Sequence, residues 1–423
     1  MVTLAVIGAG IGGCSTAYFA SKYLPDSKIT VYELQNRIGG RVLSFHGKKV
    51  KSELGASFFN PTNRTLCNLV NEMDLKVAKL EESRDIAVWN GTEIIFKSNH
   101  PMIYTMINLF TKYKLSIPKL LLILMKANRK IKRLYKNEKP AEFSELFESV
   151  GLDKWYKKPF DQILVEMGID RKLIDDLITP ISRIIYSQDA KLGGFAGLSS
   201  LLGVFGEAIY SLKDGNDVLP RKLIEASNAK VKLESKVKSI KKMFNGSFRV
   251  TAGEDTSVFD AVIVATPLEV AEITFGGVSE QFQAREYQKI YIRLMKGKVN
   301  SRYFNLGSSK LPSVILTSKE ANPITRFSIN KSINDDESWV AVTSTDPLDE
   351  DLLYDLFKNG RTILEHTWNA AYPIFKPTEK IPPTCLDNGL LYNNAIESAA
   401  SSLESSAFAA LNSIKALKGQ LNS

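Results

Sequence analysis

With 423 residues the chain is too long for one simple core, and two domains are the natural expectation. Its 44% hydrophobic and 24% charged residues are those of an ordinary soluble globular protein, which excludes a disordered chain or a fibre. The net charge of +9 invites a polyanion or an anionic membrane surface as partner, although a solvated, lysine-rich surface is the simpler reading.

Val2 to Ile7 is an aliphatic, β-branched run that predicts a central parallel strand. A glycine turn follows, then a helix over about 12–24 with Ala17, Phe19 and Ala20 as packing residues, ended by Pro25-Asp26. Ile29 to Glu33 predicts a second strand, so the chain opens as a βαβ unit. From about 101 to 202 the pattern is helical, with Met102, Ile103, Met106, Ile107 and Phe110 at helical spacing. A further helical stretch, Asp175 to Tyr186, is broken around Pro180. Strands return at Ala229–Leu233, Lys236–Phe244 and Ser247–Thr251, with Asn245-Gly246 as a tight hairpin turn. Phe259 to Thr266 predicts another buried parallel strand, closed by Pro267. Residues 285–345 mix short strands and turns, and a small-residue helix covers Glu397 to Leu417. A helical block between pieces of an α/β domain predicts discontinuous domains, the second inserted into the first.

Gly8, Gly10 and Gly13 have the G-x-G-x-x-G spacing between the first strand and the first helix. Gly8 permits the tight turn, Gly10 admits a pyrophosphate to the backbone, and Gly13 lets the helix pack on the strands. The phosphates then meet the N–H groups of a helix N-terminus. Glu33, ending the second strand, suits the ribose hydroxyls and would repel a 2′-phosphate. Together these predict a dinucleotide site.

Cys14, Cys67 and Cys385 have no disulfide or metal-ligand spacing, and His46, His100 and His366 are scattered, so no metal is expected. The longest apolar run, Leu120 to Met125, falls far short of the roughly 20 residues of a bilayer span. No charged and apolar leader precedes the first strand, so an intracellular chain is expected unless a leader has been lost. Lys112 to Lys139 holds Lys114, Lys119, Lys126, Arg129, Lys130, Lys132, Arg133 and Lys136 around that apolar run. This segment reads either as a peripheral membrane contact or as a solvated face.

Arg37-Ile38-Gly39-Gly40-Arg41 and Glu53-Leu54-Gly55-Ala56-Ser57 resemble the Gly-Gly-Arg and Glu-x-Gly elements of the flavin amine oxidase superfamily. Val237 matches the place where this superfamily lays a backbone segment on the adenine, and Ala395-Ile396-Glu397 its C-terminal flavin element. The resemblance narrows to the prenylcysteine oxidase (farnesylcysteine lyase) family. It is carried by Tyr186-Ser-Gln188, Gly194 to Gly203, Asp214-Gly215-Asn216, Phe259 to Leu268, Ala371-Tyr372-Pro373, Lys376-Pro377 and Leu390 to Glu404. The family usually has Gly-Gly where this chain has Gly55-Ala56, His-Pro where it has Asn60-Pro61, and glycine at Asp214.

The resemblance implies an α/β fold: a Rossmann-like FAD-binding domain (GR2 type) over 1–80, 205–270 and 383–423, with an inserted, discontinuous α+β substrate domain over 81–204 and 271–382. It implies non-covalent FAD held by Gly8, Ala9, Gly10, Ile11, Gly12, Gly13, Glu33, Leu34, Gly39, Gly40, Arg41, Gly55, Ala56, Ser57, Val237, Thr266 and Glu397. It further implies oxidative cleavage of an S-prenylcysteine thioether with dioxygen and water, giving a prenyl aldehyde, cysteine and hydrogen peroxide, in a lysosomal, vacuolar or secretory compartment. Nucleic acid has no place in this reading. A thioether carries no acidic proton, so the chemistry needs positioning more than a strong base. Asn216 and Tyr372 are the residues expected beside the flavin ring, and the helical block is expected to form an apolar tunnel for the isoprenoid. An amine oxidase on the same scaffold, and a prenyl-binding carrier of the Rab GDP-dissociation inhibitor kind, are the alternatives. The second loses ground because Gly8, Gly10, Gly13, Glu33 and Arg41 are all present.

Overall fold

The computed structural model describes residues 1–48, 50–79, 85–98, 101–137, 139–205, 208–278, 284–307, 311–318, 323–334 and 337–422, with the backbone alone at 102 and 331–334. His100 and the domain boundary at 80–81 lie outside the described residues. β1 (Thr3–Ile7) lies at the centre of a six-stranded sheet, flanked in parallel register by β2 (Lys28–Tyr32) and by Ala261–Val264. Having a neighbour on each edge and layers on both faces explains why these strands are continuous apolar runs. Lys230–Lys232 extends the sheet beyond β2, and Leu390–Tyr392 extends it beyond Ala261–Val264. Cys385–Asp387 adds an antiparallel edge.

Helix α1 (Ile11–Tyr23) crosses this sheet and packs against the helices Val218–Ser227 and Leu403–Asn422. Val237–Lys242, Phe248–Ala252, Asp255–Phe259 and Thr274–Gly276 form a separate four-stranded sheet, and Gly246 turns its hairpin at φ +85°. Thr274–Gly276 pairs with Val237–Lys242, so this sheet runs past the boundary drawn at 270.

The third layer differs from the short strands expected over 285–345. Tyr287–Gly297, Ile324–Asn334, Glu337–Ser344 and Arg361–Pro373 are long and antiparallel, and with Val314–Thr317, Ile86–Trp89 and Ile94–Lys97 they make a seven-stranded sheet. Against one face of it lies the helical block, from Met102–Tyr113 and Ser116–Leu134 to Gly194–Val204. Pro180 does not break its helix. It stands at the start of Thr179–Tyr186, where a missing N–H costs little, and a π-turn over Ile174–Ile178 feeds into that helix. The C-terminal helix also starts later than expected: Asn393–Ser398 is a 3₁₀ turn, and the long helix begins only at Leu403.

Candidate functional site

Gly10, the N-cap of α1, contributes no side-chain cap, and the first turn holds no acidic residue. Its N–H groups and the helix dipole are thus available to an anion. Two close approaches demand glycine here. A Cβ on Gly13 would drive into the Gly8 carbonyl, and Gly40, at φ +54°, would set a Cβ 2.9 Å from Cα of Gly10. The glycine turns at 8–13 and 39–40 therefore lie against each other, and together they line one cleft of about 550 Å³. Glu33, 7% exposed, accepts the Ala9 N–H at 2.7 Å and the Gln35 N–H at 2.8 Å. A carboxylate has about four acceptor positions, so capacity remains for hydroxyl donors in the cleft.

The far floor of the cleft is an ion-pair network. Arg41 donates to the Ala371 carbonyl at 3.2 Å and is bound to Glu397, which also accepts from Tyr287 Oη at 3.0 Å and Ser401 Oγ at 3.1 Å. Burial acts to raise the Glu397 carboxyl, but the guanidiniums of Arg41 and Arg285 outweigh it and hold it below its ordinary range. Arg285 is itself clamped by Glu269 through Nε at 2.6 Å and Nη2 at 3.1 Å. The strand Arg361–Pro373 closes the cleft with His366, Trp368 and Tyr372. Trp368 donates its indole N–H to the Leu54 carbonyl at 2.6 Å and stacks edge-on with His366 at 4.4 Å. Burial, assisted by Arg37, holds the His366 imidazole below its ordinary 6.5.

A second cavity, of about 260 Å³, lies between the helical block and the seven-stranded sheet. Its far end is apolar, with Ile131, Leu134, Phe143, Leu146, Phe147 and Phe195. The helical block is therefore not packed solid. Gly55, Ala56, Trp368, Tyr372, Ile396, Ser401, Ser402 and Leu403 line both this cavity and the cleft, so the two adjoin one another.

The prenylcysteine lyase family model matches residues 96–421, and a model of the NAD(P)-binding Rossmann-like domain matches residues 6–73. The chain belongs to the prenylcysteine lyase family. Its relatives include the farnesylcysteine lyase of Arabidopsis thaliana, 28% identical over 97% of this chain and 87% of that protein. They also include prenylcysteine oxidase 1 of Bos taurus, 26% identical over the same shares. In fold it is similar to a redesigned putrescine oxidase, at a TM-score of 0.69 and 12% identity over 98% of each chain. The cyclohexylamine oxidase of Brevibacterium oxydans follows at 0.66 and 15% identity, over the whole of each chain. The chain is an FAD-dependent oxidoreductase with a Rossmann-like domain.

The cleft suits that cofactor in its glycine walls and in its uncapped helix end. Among the residues expected at it, Gly8, Gly10, Ile11, Gly12, Glu33, Leu34, Gly39, Gly40, Arg41, Gly55, Ala56, Thr266 and Glu397 line it. Four others do not. Ala9 is buried behind the turn, holding Glu33 through its N–H, and Gly13 sits at the helix–strand crossing. Ser57 faces the apolar cavity and donates to the Gly55 carbonyl at 2.9 Å. Val237, 4% exposed, turns its side chain into the core beneath the four-stranded sheet, and the role expected of it is one of its backbone.

Asn216 is placed differently from the expectation as well. It lines neither cavity: its amide donates to the Ala56 carbonyl at 2.8 Å and its carbonyl accepts the Leu212 N–H at 2.9 Å. It is a brace for the 53–57 turn. Tyr372 lines both cavities, edge-on to Tyr186 at 5.5 Å.

Sequence reasoning missed His366, Trp368, Asn393, Ser401, Ser402 and Ser406 on the cleft wall. Ser401 and Ser402 reach it because residues 399–402 leave the helical path, and no local spacing signals that.

Of the departures from the family pattern, Ala56 lies outside the left-handed region, so its methyl group costs no backbone strain. Asn60 anchors its own turn, accepting the Thr62 N–H at 2.9 Å and donating to the Leu202 carbonyl at 3.3 Å.

Proposed function

We propose that this chain is a thioether oxidase, cleaving S-prenylcysteine with dioxygen and water into a prenyl aldehyde, cysteine and hydrogen peroxide. The observation that carries this reading is the apolar cavity adjoining the FAD cleft at Trp368 and Tyr372. An isoprenoid tail fits among the aromatic and aliphatic side chains of the helical block, which leaves the thioether at the junction. The relatives named for farnesylcysteine and prenylcysteine support the same substrate class. When bound, FAD supplies the two-electron acceptor for the allylic carbon beside sulfur and passes the electrons on to dioxygen.

The chain's own residues bind and orient. Glu33 is placed for the ribose hydroxyls, the first turn of α1 for the pyrophosphate, and the Arg41–Glu397 pair for the far end of the cofactor. Tyr372 and Trp368 wall the junction and exclude water from it, Tyr372 being the residue we place against the reacting carbon. None of the three cysteines lines the cleft, which supports non-covalent binding. Anaerobic mixing with S-farnesylcysteine should bleach the yellow flavin, and air should restore it with aldehyde, free thiol and peroxide in equal amounts. A yellow protein bleached by simple amines but not by the thioether would sink this reading.

The exposed side of the helical block supports a lipid surface as the place of substrate capture. Ile103, Ile107, Phe110, Leu122 and Met125 are exposed on Met102–Tyr113 and Ser116–Leu134, and Leu115 is exposed between the two helices. Lys126, Arg129, Lys132 and Arg133 continue that face with no carboxylate partner among the described residues. On its inner side the same helix turns Ile131 and Leu134 to the cavity. No described helix is long and apolar enough to cross a membrane, so the contact is peripheral. Co-sedimentation with phosphatidylserine vesicles should exceed that with phosphatidylcholine vesicles and fall in salt. Binding indifferent to acidic lipid would defeat it.

A further inference from the structure

We infer that Arg326, with Thr343 beside it, takes the carboxylate of the substrate's amino-acid head and thereby sets which end of the molecule enters the helical part of the cavity. The inference rests on the prenylcysteine reading and adds the group that recognises the cysteine end. Among the described lining residues of the apolar cavity two are charged, Arg326 and Glu404. Glu404 is committed to the protein: its two oxygens accept the N–H groups of Thr65 at 3.0 Å and Leu66 at 2.7 Å, and burial pushes its carboxyl up. Arg326 is the cation of this cavity. Its guanidinium carries five donors in a planar fork, enough to meet a carboxylate while keeping a bond to the protein.

The sheet register explains how the cation reaches that place. Arg326 stands opposite Thr343, and Thr343 stands opposite Ile292 on the next strand. All three line the cavity, forming one cross-strand row on the face of the sheet turned toward the helices. Two residues along, Ile290 faces Trp368, and that strand leads on to Tyr372 at the mouth of the FAD cleft. The Arg326 charge acts on the Tyr372 hydroxyl, which burial otherwise pushes up, so the cation lies at the flavin end of the cavity. Thr343 supplies the independent observation. Its Oγ1 is buried with no hydrogen-bond partner, 9% of the residue being exposed, in a wall where such hydroxyls are normally satisfied. A carboxylate oxygen between the guanidinium and this hydroxyl would satisfy it. At the opposite end Phe147 and Phe195 stand 4.7 Å apart, with Ile131, Leu134, Phe143 and Leu146 on the same lining. In S-prenylcysteine the carboxyl carbon is three bonds from sulfur. A carboxylate on Arg326 therefore keeps the thioether near Tyr372 and sends the tail toward the helices.

The test compares S-farnesylcysteine with its methyl ester and with S-farnesylcysteamine, which lacks the carboxyl, on the FAD-loaded enzyme and its variants. The wild type should show a KM about tenfold or more higher for the two analogues, with kcat changed less. Arg326→Met should raise KM for the acid by a similar factor and erase the discrimination. Arg326→Lys should restore part of it, and Thr343→Val, close to isosteric, should raise KM for the acid alone. Flavin content and visible spectrum confirm that each variant is folded. Equal KM for acid and ester in the wild type, or undiminished discrimination in Arg326→Met, would overturn the role of Arg326 and leave the thioether reading standing. No turnover of any of the three by the wild type would overturn that reading, and the inference with it.

Discussion

The FAD cleft and the apolar cavity meet at Trp368 and Tyr372, yet their walls are made of different material. One side of the cleft is backbone: the glycine turns at 8–13 and 39–40, Gly55, and the first turn of α1. The cavity is lined mainly by side chains, drawn from the helices around 131–147 and 184–203 and from four strands of the long sheet. A backbone wall recognises what every dinucleotide has in common, phosphates and ribose, and it tolerates no added atoms. A side-chain wall can be redecorated position by position, so it carries what distinguishes one substrate from another. Changes at the cleft should therefore cost cofactor and fold together, whereas changes at the cavity should alter the substrate and leave the flavin in place.

Four measurements sharpen or break this contrast. The largest effect is expected from Arg41→Ala, which strips a buried carboxylate of its counter-ion. Tyr287, Ser401 and Arg285 still surround Glu397, so the cost lies at the low end of the range for a broken buried pair, about 3 kcal/mol. Thermal unfolding and the flavin-to-protein ratio should both fall. A variant with full flavin and an unchanged Tm would show that this pair is not part of the cofactor site.

At the cavity, Ser199→Phe puts a ring into the lining without touching the cleft. The flavin spectrum should be unaltered, while kcat/KM for S-farnesylcysteine drops about tenfold or more, roughly 1.4 kcal/mol. Loss of flavin in that variant would break the separation of the two walls.

The pH dependence of the cleft follows from Glu397. Its folded-state carboxyl lies below the ordinary 4.5, so its stabilisation is fully present above that value and lost as pH falls through the lowered one. The Tm difference between wild type and Glu397→Gln should be constant from neutral pH to about 4.5 and shrink below it. A difference that instead grew in acid would mean that the carboxyl is held above its ordinary range.

The smallest effect is expected at Ala56. With no left-handed backbone there, Ala56→Gly removes no strain, and the looser unfolded chain should lower stability by about 0.4–1 kcal/mol. A rise in flavin affinity in that variant would instead mark the Ala56 methyl group as an obstruction in the cleft.

The difference in material also explains what could be read in advance. Gly8, Gly10, Glu33, Gly39, Gly40 and Arg41 fall within about one βαβ unit, and their roles follow from turn geometry and strand–helix alternation at short range. Glu397 was legible through a family element rather than through any local pattern. Asn216 shows the limit of that route: it has a matching position in the chain, but it braces a turn. The strand Arg361–Pro373 was missed altogether, and with it His366 and Trp368. Its residues alternate only moderately in burial, and its partner Tyr287–Gly297 lies some 70 residues away.

The amino-acid order by itself determined the βαβ opening, the glycine turns, the ribose acid and the presence of a helical block between parts of an α/β domain. Those features depend on φ/ψ preferences, capping and periodicity, all of which act over a few residues. Only the tertiary structure decided that the cleft and the cavity share a wall, that Arg326 and Thr343 lie in one cross-strand row, and that Ser401 and Ser402 reach the cleft. Those outcomes depend on which distant strands pair and in what register. A shift of one residue in the pairing would turn Arg326 from the cavity to the opposite face of the sheet.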